Sequence, residues 1–268
     1  MIMVSTPWTK DHPFYDAITK PEQGFHTYTW PTRMNPKVTP ERLQLERQTI
    51  GEFDFNREYN GTFLDDQYAY FPTSLVLNCT DDYELDTEVN RQEYTGQRYV
   101  GVDFGKHSDH STIAILHDHN NQSRLIYLKE FQLETTYKEV IDWLRTLNNT
   151  YHISGGCLDK TGVGEAPYEE ISNFMPQING ITLTQQTKED IMGKLRLAME
   201  QHRIIIPRGN QRLLSQVISQ QSKPLGTTGK RKFSHPSGAK DDLLWALALA
   251  QYSPRTHYRP IASAVSRR

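Results

Sequence analysis

Acidic side chains stand at three places in the sequence where an apolar segment meets a loop or a helix. The apolar stretch YVGV ends in Asp103 before a glycine-bearing loop, and a second short apolar segment ends in Asp159. Asp241 and Asp242 begin the almost wholly apolar segment LLWALALA, which reads as a core helix. Ligands of open α/β sheets bind at the edge where strands end, so we expect Asp103 and Asp159 at that edge.

Three converging carboxylates would repel one another strongly without a cation. Hard oxygen ligands with no Cys or His cluster indicate Mg²⁺ or Mn²⁺ rather than zinc. Two such ions about 3.5–4 Å apart can clamp the attacking water and the leaving oxygen of a phosphodiester. Each acid also has a structural interpretation, as a turn residue, a loop cap or a complement to a helix dipole. Their combination favours the metal site, in which Asp109 is either a turn residue or a helper.

Basic residues are concentrated in the last third of the chain. Residues 203–268 hold 12 of the 30 Lys and Arg but only 2 of the 32 acids. Their net charge is +10, whereas that of residues 1–202 is −12. This asymmetry favours a polyanion-binding face, and a solvated basic tail is the alternative. A predicted hairpin at 222–234 would place cations beside the acids, where phosphate contacts give salt-dependent binding. The candidate DNA-binding residues are Lys223, Lys230, Arg231, Lys232, Lys240 and His235.

Length, hydrophobic pattern and cysteine content limit the classes of protein to which this chain can belong. A chain of 268 residues can form one large or two modest domains. No apolar run approaches the roughly 20 residues that span a bilayer, and the first residues do not read as a signal peptide. Cys79 and Cys157 lie far apart in sequence, so a reduced intracellular compartment is the default interpretation.

The pattern of apolar residues predicts an α/β sheet of mixed polarity. Closely spaced strands at 98–103, 111–118 and 123–133 indicate an antiparallel meander, and alternating helices and strands follow. The helices are expected at 136–148, 166–173, 187–202, 210–220 and 241–252, and the strands at 152–158, 181–184 and 204–206. Before residue 93 we expect no independent core. We predict strands in MIMVSTP and at 25–30, helices at 40–50 and 53–59, and a polar linker at 81–94.

These motifs, in this order, resemble the nuclease domain of the large terminase subunit of tailed bacteriophages. The matching segments are VGVDFG followed by DHST, then LDKTGVGE, then HPSGAKDDLLWALALA. In addition, IMVSTPWTKDHPFYDAI and FNREYNGTFLDD resemble the coupling motif and the closing segment of that family's packaging ATPase domain. The resemblance implies an RNase H-like fold preceded by a partial ATPase-domain remnant.

The resemblance also implies roles for the acids. Asp103, Asp159 and one of Asp241 and Asp242 would form the metal-binding triad, and Asp109 matches a further family acid. Asp242 is preferred for its position ahead of a small-residue run, as in resolvase-type nucleases. One ion at Asp103 and Asp242 would activate water, and a second at Asp103 and Asp159 would stabilise the leaving oxygen.

The chain departs from the family in its first part. It has no G-x-x-x-x-G-K-[ST] phosphate loop and no upstream acid pair that could serve as a Walker B motif, so motor activity is not expected from it alone. We expect a truncated, split or separately encoded piece, with residues 1–92 a remnant and linker, 93–254 the nuclease domain and 255–268 a flexible basic tail. The implied partners are double-stranded DNA, the portal, the small terminase subunit and an ATPase half on another chain. The implied location is the host cytoplasm, with no membrane.

Three functions remain open on the sequence. The first is a metal-dependent endonuclease that cuts double-stranded viral DNA during packaging. The second is a resolvase or RNase H-like enzyme acting on branched or hybrid substrates with the same acids. The third is a non-catalytic DNA-binding or assembly module, motivated by the basic third of the chain.

Overall fold

A seven-stranded mixed sheet forms the centre of the molecule, in a computed structural model that describes residues 2–4, 13–20, 24–63, 69–87, 93–105, 109–224, 231–236 and 239–254. Its strands, in spatial order, are β1 (Thr80–Asp81), β7 (Ile204–Pro207), β4 (Gln122–Glu130), β3 (Thr112–His119), β2 (Gln97–Asp103), β5 (Gly155–Asp159) and β6 (Ile178–Ile181). β2, β3 and β4 pair antiparallel and the remaining neighbours pair parallel. The predicted meander and mixed sheet are confirmed.

The described helices are α1 (Pro13–Thr19), α2 (Pro40–Glu58), α3 (Thr73–Leu77), α4 (Tyr137–Tyr151), α5 (Glu165–Phe174), α6 (Gln185–Glu200), α7 (Gln211–Ser219) and α8 (Asp242–Tyr252). Helices cover both faces of the sheet, α4 and α5 on one face and α3, α6, α7 and α8 on the other. A separate hairpin joins β8 (Gln221–Pro224) to β9 (Arg231–Ser234). None of the described helices is long and apolar enough to cross a membrane.

The strands are apolar on both faces because each face is buried. In β3, Ile113 and Ile115 point to the core under α4 and α5, while Ala114 and Leu116 point to the core under α6, α7 and α8. This alternation follows from the period of two along a strand. A sheet covered on both faces produces near-continuous hydrophobic strands, which is the pattern in the sequence.

Several predicted boundaries are wrong, and tertiary contacts explain them. β6 lies at Ile178–Ile181 rather than at 181–184, because its register is set by parallel pairing with β5. α6 starts earlier than predicted because Thr184, not a later residue, accepts the capping hydrogen bond from the Thr187 N–H. Helices predicted at 40–50 and 53–59 form the single helix α2.

The predicted N-terminal strands are not found in the described residues. Residues 2–4 and 24–30 have no strand partner, and an isolated extended segment cannot satisfy its backbone groups as a strand. Tyr28 and Trp30 stack on each other on this exposed segment. The Ser-Thr-Pro portion of the first predicted strand and the tail at 255–268 lie outside the described residues.

Residues 69–87 pack against the sheet. The prediction of a linker at 81–94 is therefore wrong for the part of that range that the structure describes. β1 adds to the edge of the sheet beside β7, and Phe71, Val76 and Cys79 are fully buried in the core. Asp86 is buried and accepts hydrogen bonds from the hydroxyls of Tyr94 and Tyr151 at 2.8 and 3.0 Å. These tyrosines compensate a carboxylate that reads as solvated in the sequence.

Candidate active site

Asp103 and Asp159 end neighbouring parallel strands. β2 and β5 are paired so that Val102 lies opposite Leu158, which brings the next residue of each strand to the same edge of the sheet. Asp103 lies two residues beyond Gly101, and Asp159 two residues beyond Cys157, on the face that packs against α8. The pairing therefore directs both carboxylates towards the N-terminus of α8.

Gly101 allows α8 to lie directly on β2. A Cβ atom at this position would be 2.0 Å from the carbonyl oxygen of Ala246 and 2.3 Å from the amide nitrogen of Ala250. From Ala246 back to Asp242 the helix rises about 6 Å, and from Gly101 on to Asp103 the strand rises about 6.6 Å. Because the two distances are similar, Asp242 lies near Asp103.

The two adjacent acids of α8 have different surroundings. Asp242 is buried, and its Oδ2 accepts a hydrogen bond from the backbone N–H of His110 at 3.4 Å. Asp241 is partly exposed, and its Oδ2 accepts from Trp245 Nε1 at 3.0 Å while its Oδ1 lies 3.8 Å from His235 Nε2. Among the charges acting on Asp103, that of Asp242 has the largest effect. Asp242 is therefore the better placed partner of Asp103.

Gln216 fixes the N-terminus of α8, a role that the sequence did not indicate. Asp241 stands at the N-cap position but makes no side-chain capping bond, and its Oδ2 accepts from Trp245 instead. The Oε1 atom of Gln216 instead accepts the backbone N–H groups of Leu243 and Leu244 at 2.8 and 3.2 Å. Gln216 lies on α7. The sequence predicted this helix, but it did not indicate that Gln216 would bond to the backbone of α8.

The loop after β5 holds Asp159 in place. Its Oδ1 accepts the backbone N–H of Thr161 at 2.7 Å, and Thr161 Oγ1 accepts the backbone N–H of Leu183 at 2.8 Å. At Gly164 an added Cβ atom would be 2.0 Å from the carbonyl oxygen of Asp159. The glycine thus lets the loop fold tightly behind the carboxylate, and Thr161 ties this loop to the entry of α6.

The acids line one cleft of about 360 Å³. Asp109 is exposed at its rim, where its Oδ1 accepts a hydrogen bond from Lys240 Nζ at 2.7 Å. The polar and charged residues of the lining are Asp103, Asp109, Asp159, Lys188, His235, Lys240, Asp241 and Asp242. The structure thus brings together every acid singled out in the sequence.

Burial and mutual repulsion disfavour the ionised form of these carboxyl groups. The pKa of Asp103 is raised well above its usual value, first by burial and then by the charges of Asp242 and Asp159. Burial, followed by the charge of Asp241, raises the pKa of Asp242 to about 6. Burial also raises the pKa of Asp159, an effect that its hydrogen bonds to Thr161 and the charge of Lys188 partly offset. A cation in the cleft would relieve this repulsion.

The donor set fits a hard divalent cation in its chemistry. The carboxylates offer oxygen ligands, and the cleft lining contains no cysteine among the residues that the structure describes. Within the same residues, however, no three His, Cys, Asp or Glu side chains are already arranged as a ligand set around one point. The carboxylates nevertheless share one cleft, and burial raises the pKa values of Asp103, Asp159 and Asp242, so a bound cation would stabilise their ionised forms.

The candidate DNA-binding residues are only partly described. Lys232 is exposed on β9, and Lys240 and His235 line the cleft. The predicted hairpin is present as β8 and β9, but Lys230 and the side chains of Lys223 and Arg231 lie outside the described residues.

Comparison with solved structures identifies the fold. The large terminase nuclease from thermophilic phage G20c with bound magnesium is 21% identical and has a TM-score of 0.59, covering 69% of this chain and 97% of that chain. The Thermus phage P74-26 large terminase nuclease domain is 19% identical with a TM-score of 0.53, covering 66% of this chain and 92% of that chain. The chain has the large terminase nuclease fold.

This terminase nuclease fold also aligns within a longer protein. The large terminase from another thermophilic bacteriophage is 11% identical with a TM-score of 0.50, and the alignment covers 92% of this chain. The aligned region is 60% of the length of that longer protein. Neither a protein-family model nor a curated protein matches the sequence. The RNase H-like, mixed α/β architecture expected from the motifs is confirmed.

Proposed function

We propose that this protein is a metal-dependent endonuclease that cleaves double-stranded DNA during bacteriophage genome packaging. The observation that supports it most is the cleft that Asp103, Asp159 and Asp242, carried by two strands and a helix, line together. The chain shares its fold with the G20c nuclease, which has been crystallised with bound magnesium. The proposal joins this geometry to the chemistry of oxygen ligands.

The chain's own residues would provide a rigid frame for the reaction. In this proposal Asp103 would help to hold both ions, one together with Asp242 and the other together with Asp159. His110 orients Asp242 through a backbone N–H, and Thr161 orients Asp159 in the same way. Two bound Mg²⁺ or Mn²⁺ ions would supply activation of water and stabilisation of the leaving oxygen. The remaining acids, Asp109 and Asp241, are helpers in this proposal.

The wider assignment follows from the same proposal. The first part of residues 1–92 would be the end of a packaging ATPase domain, and the nuclease domain expected at 93–254 would also include residues 69–87, which pack on its sheet, with a basic tail after it. An ATPase half on another chain, the portal and the small terminase subunit would be its partners in the host cytoplasm. The basic side chains Lys223, Lys230, Arg231, Lys232, Lys240 and His235 would face the DNA backbone.

A comparison of substrates tests the proposal against its alternatives. The full chain is incubated with linear duplex DNA, a four-way junction and an RNA–DNA hybrid in Mg²⁺, in Mn²⁺ and in EDTA. We expect cleavage of the linear duplex that requires the divalent ion. Preference for the junction or the hybrid would favour a resolvase or RNase H-like enzyme, whereas DNA binding without cleavage of any substrate would favour a non-catalytic module.

A further inference from the structure

Lys188 differs from the other described cations of the cleft in having no ion-pair partner among the described residues. Lys240 donates to Asp109 at 2.7 Å, and His235 Nε2 lies 3.8 Å from Asp241 Oδ1. In the part of the chain that the structure describes, no carboxylate lies within ion-pair distance of Lys188, although its side chain lines the same acidic cleft. Its ammonium group thus keeps its hydrogen-bonding capacity for another anion.

Trp245 fixes the position of this lysine. Lys188 lies in the first turns of α6, and its Nζ is 5.5 Å from the centroid of the Trp245 ring. The indole N–H of the same ring donates to Asp241 at 3.0 Å, which restricts the orientation of the ring. A cation over a tryptophan face is held by the ring quadrupole. This contact favours conformations of Lys188 in which its ammonium group stays near the cleft that both residues line.

Lys188 lies on the Asp159 side of the cleft. It is in the first turn of α6, and the entry of this helix is tied to the loop after Asp159 by the hydrogen bond from the Leu183 N–H to Thr161 Oγ1 at 2.8 Å. Lys188 and Asp159 both line the cleft. The acids alone would repel a polyanionic substrate. An ammonium beside them, aligned but not neutralised by a salt bridge, provides a local attraction for a phosphate group.

We propose that Lys188 contacts a DNA phosphate adjacent to the reacting bond, on the Asp159 side of the cleft, and that Trp245 aligns it. This inference rests on the proposed nuclease function and names a substrate contact within it. The contact is to the backbone, so it contributes affinity and register but no sequence preference.

Substitutions on α6 test this contact with a matched control. Lys188→Met removes the charge and keeps an unbranched side chain over Trp245, whereas Lys188→Arg keeps the charge. Lys194→Met is the control, because Lys194 lies on the same helix with its Nζ 4.1 Å from the Tyr252 ring centroid but does not line the cleft. Binding of the full chain to a short labelled duplex is measured in EDTA over a series of salt concentrations, with thermal unfolding and Mg²⁺-dependent cleavage in parallel.

We expect Lys188→Met to weaken DNA binding about tenfold and to reduce the slope of log K against log salt by about 0.9. Lys188→Arg should restore most of the affinity and the slope, and Lys194→Met should bind as the wild type does. Equal slopes for wild type and Lys188→Met, with DNA bound and cleaved normally, would overturn the contact alone. Failure of the wild type to bind or cleave DNA would overturn the proposed function and this inference with it.

Discussion

At the scale of single residues, the acids of the cleft are held in positions that cost stability. Asp242 is buried beside other carboxyl groups, and its pKa is raised to about 6. A raised folded-state pKa means that the unfolded chain ionises more readily. The free energy of unfolding therefore decreases as the pH rises from the unfolded pKa, about 3.8, towards the folded value.

Asp242→Asn should stabilise the protein in EDTA. At about pH 8 we expect a gain of about 2–3 kcal/mol in the free energy of unfolding, and near pH 3.5, where both side chains are neutral, almost none. Chemical denaturation across this pH range measures the difference. Asp142→Asn, at an exposed position on α4, is the control and should change stability by less than about 0.5 kcal/mol at either pH. An equal effect of Asp242→Asn at both pH values would contradict the electrostatic explanation.

The acids could be predicted from the sequence, whereas their supporting residues could not. Asp103 and Asp159 were identifiable because each directly follows an apolar strand, which is a local signal. Gln216 and Lys188 act through contacts with residues on α8 that are distant in sequence. A polar residue on an amphipathic helix gives no indication of which distant backbone group it will contact.

At the scale of elements, the packing of α8 on β2 determines where Asp242 lies. The helix touches the strand at Gly101, and a side chain there would overlap its backbone rather than a movable side chain. The sequence showed the apolar helix and the strand separately. It did not show this contact, because a glycine within a strand is equally consistent with a bulge.

Gly101→Ala should therefore displace α8 and with it Asp242. We expect a loss of about 1–3 kcal/mol or more in the free energy of unfolding, together with reduced DNA cleavage. Gly193→Ala on α6 is the matched control, since nothing lies within 4 Å of the added Cβ atom. The control should be neutral or stabilising by up to about 1 kcal/mol. Chemical denaturation and DNA cleavage are measured for both variants. A Gly101→Ala protein that is as stable and as active as the wild type would contradict the packing argument.

At the scale of the whole molecule, residues 69–87 belong to the packing of the sheet. β1 extends the sheet, and Phe71 and Val76 are fully buried in the core under α6 and α7. The sequence predicted a polar linker at 81–94, because acidic and polar residues dominate that part of the chain. The pairing of β1 with β7, more than a hundred residues later, leaves no local signal.

Two shortened chains test this assignment. A chain beginning at residue 93 should be unstable or aggregate, because it exposes the core surfaces that Phe71, Val76 and Cys79 cover. A chain beginning at residue 69 should unfold cooperatively. Circular dichroism during heating distinguishes them, and a chain beginning at residue 93 that unfolds as cooperatively as the longer one would show that the segment is dispensable.

The central claim is that the carboxylates of the cleft carry out metal-dependent DNA cleavage. The most direct measurement is the rate at which Asp103→Ala, Asp159→Ala and the control Asp142→Ala cleave duplex DNA in Mg²⁺ and Mn²⁺. Loss of a ligand worth several kcal/mol predicts that the first two variants are slower by about a thousandfold or more while the control is unchanged. Cleavage that survives both Asp103→Ala and Asp159→Ala would contradict the account.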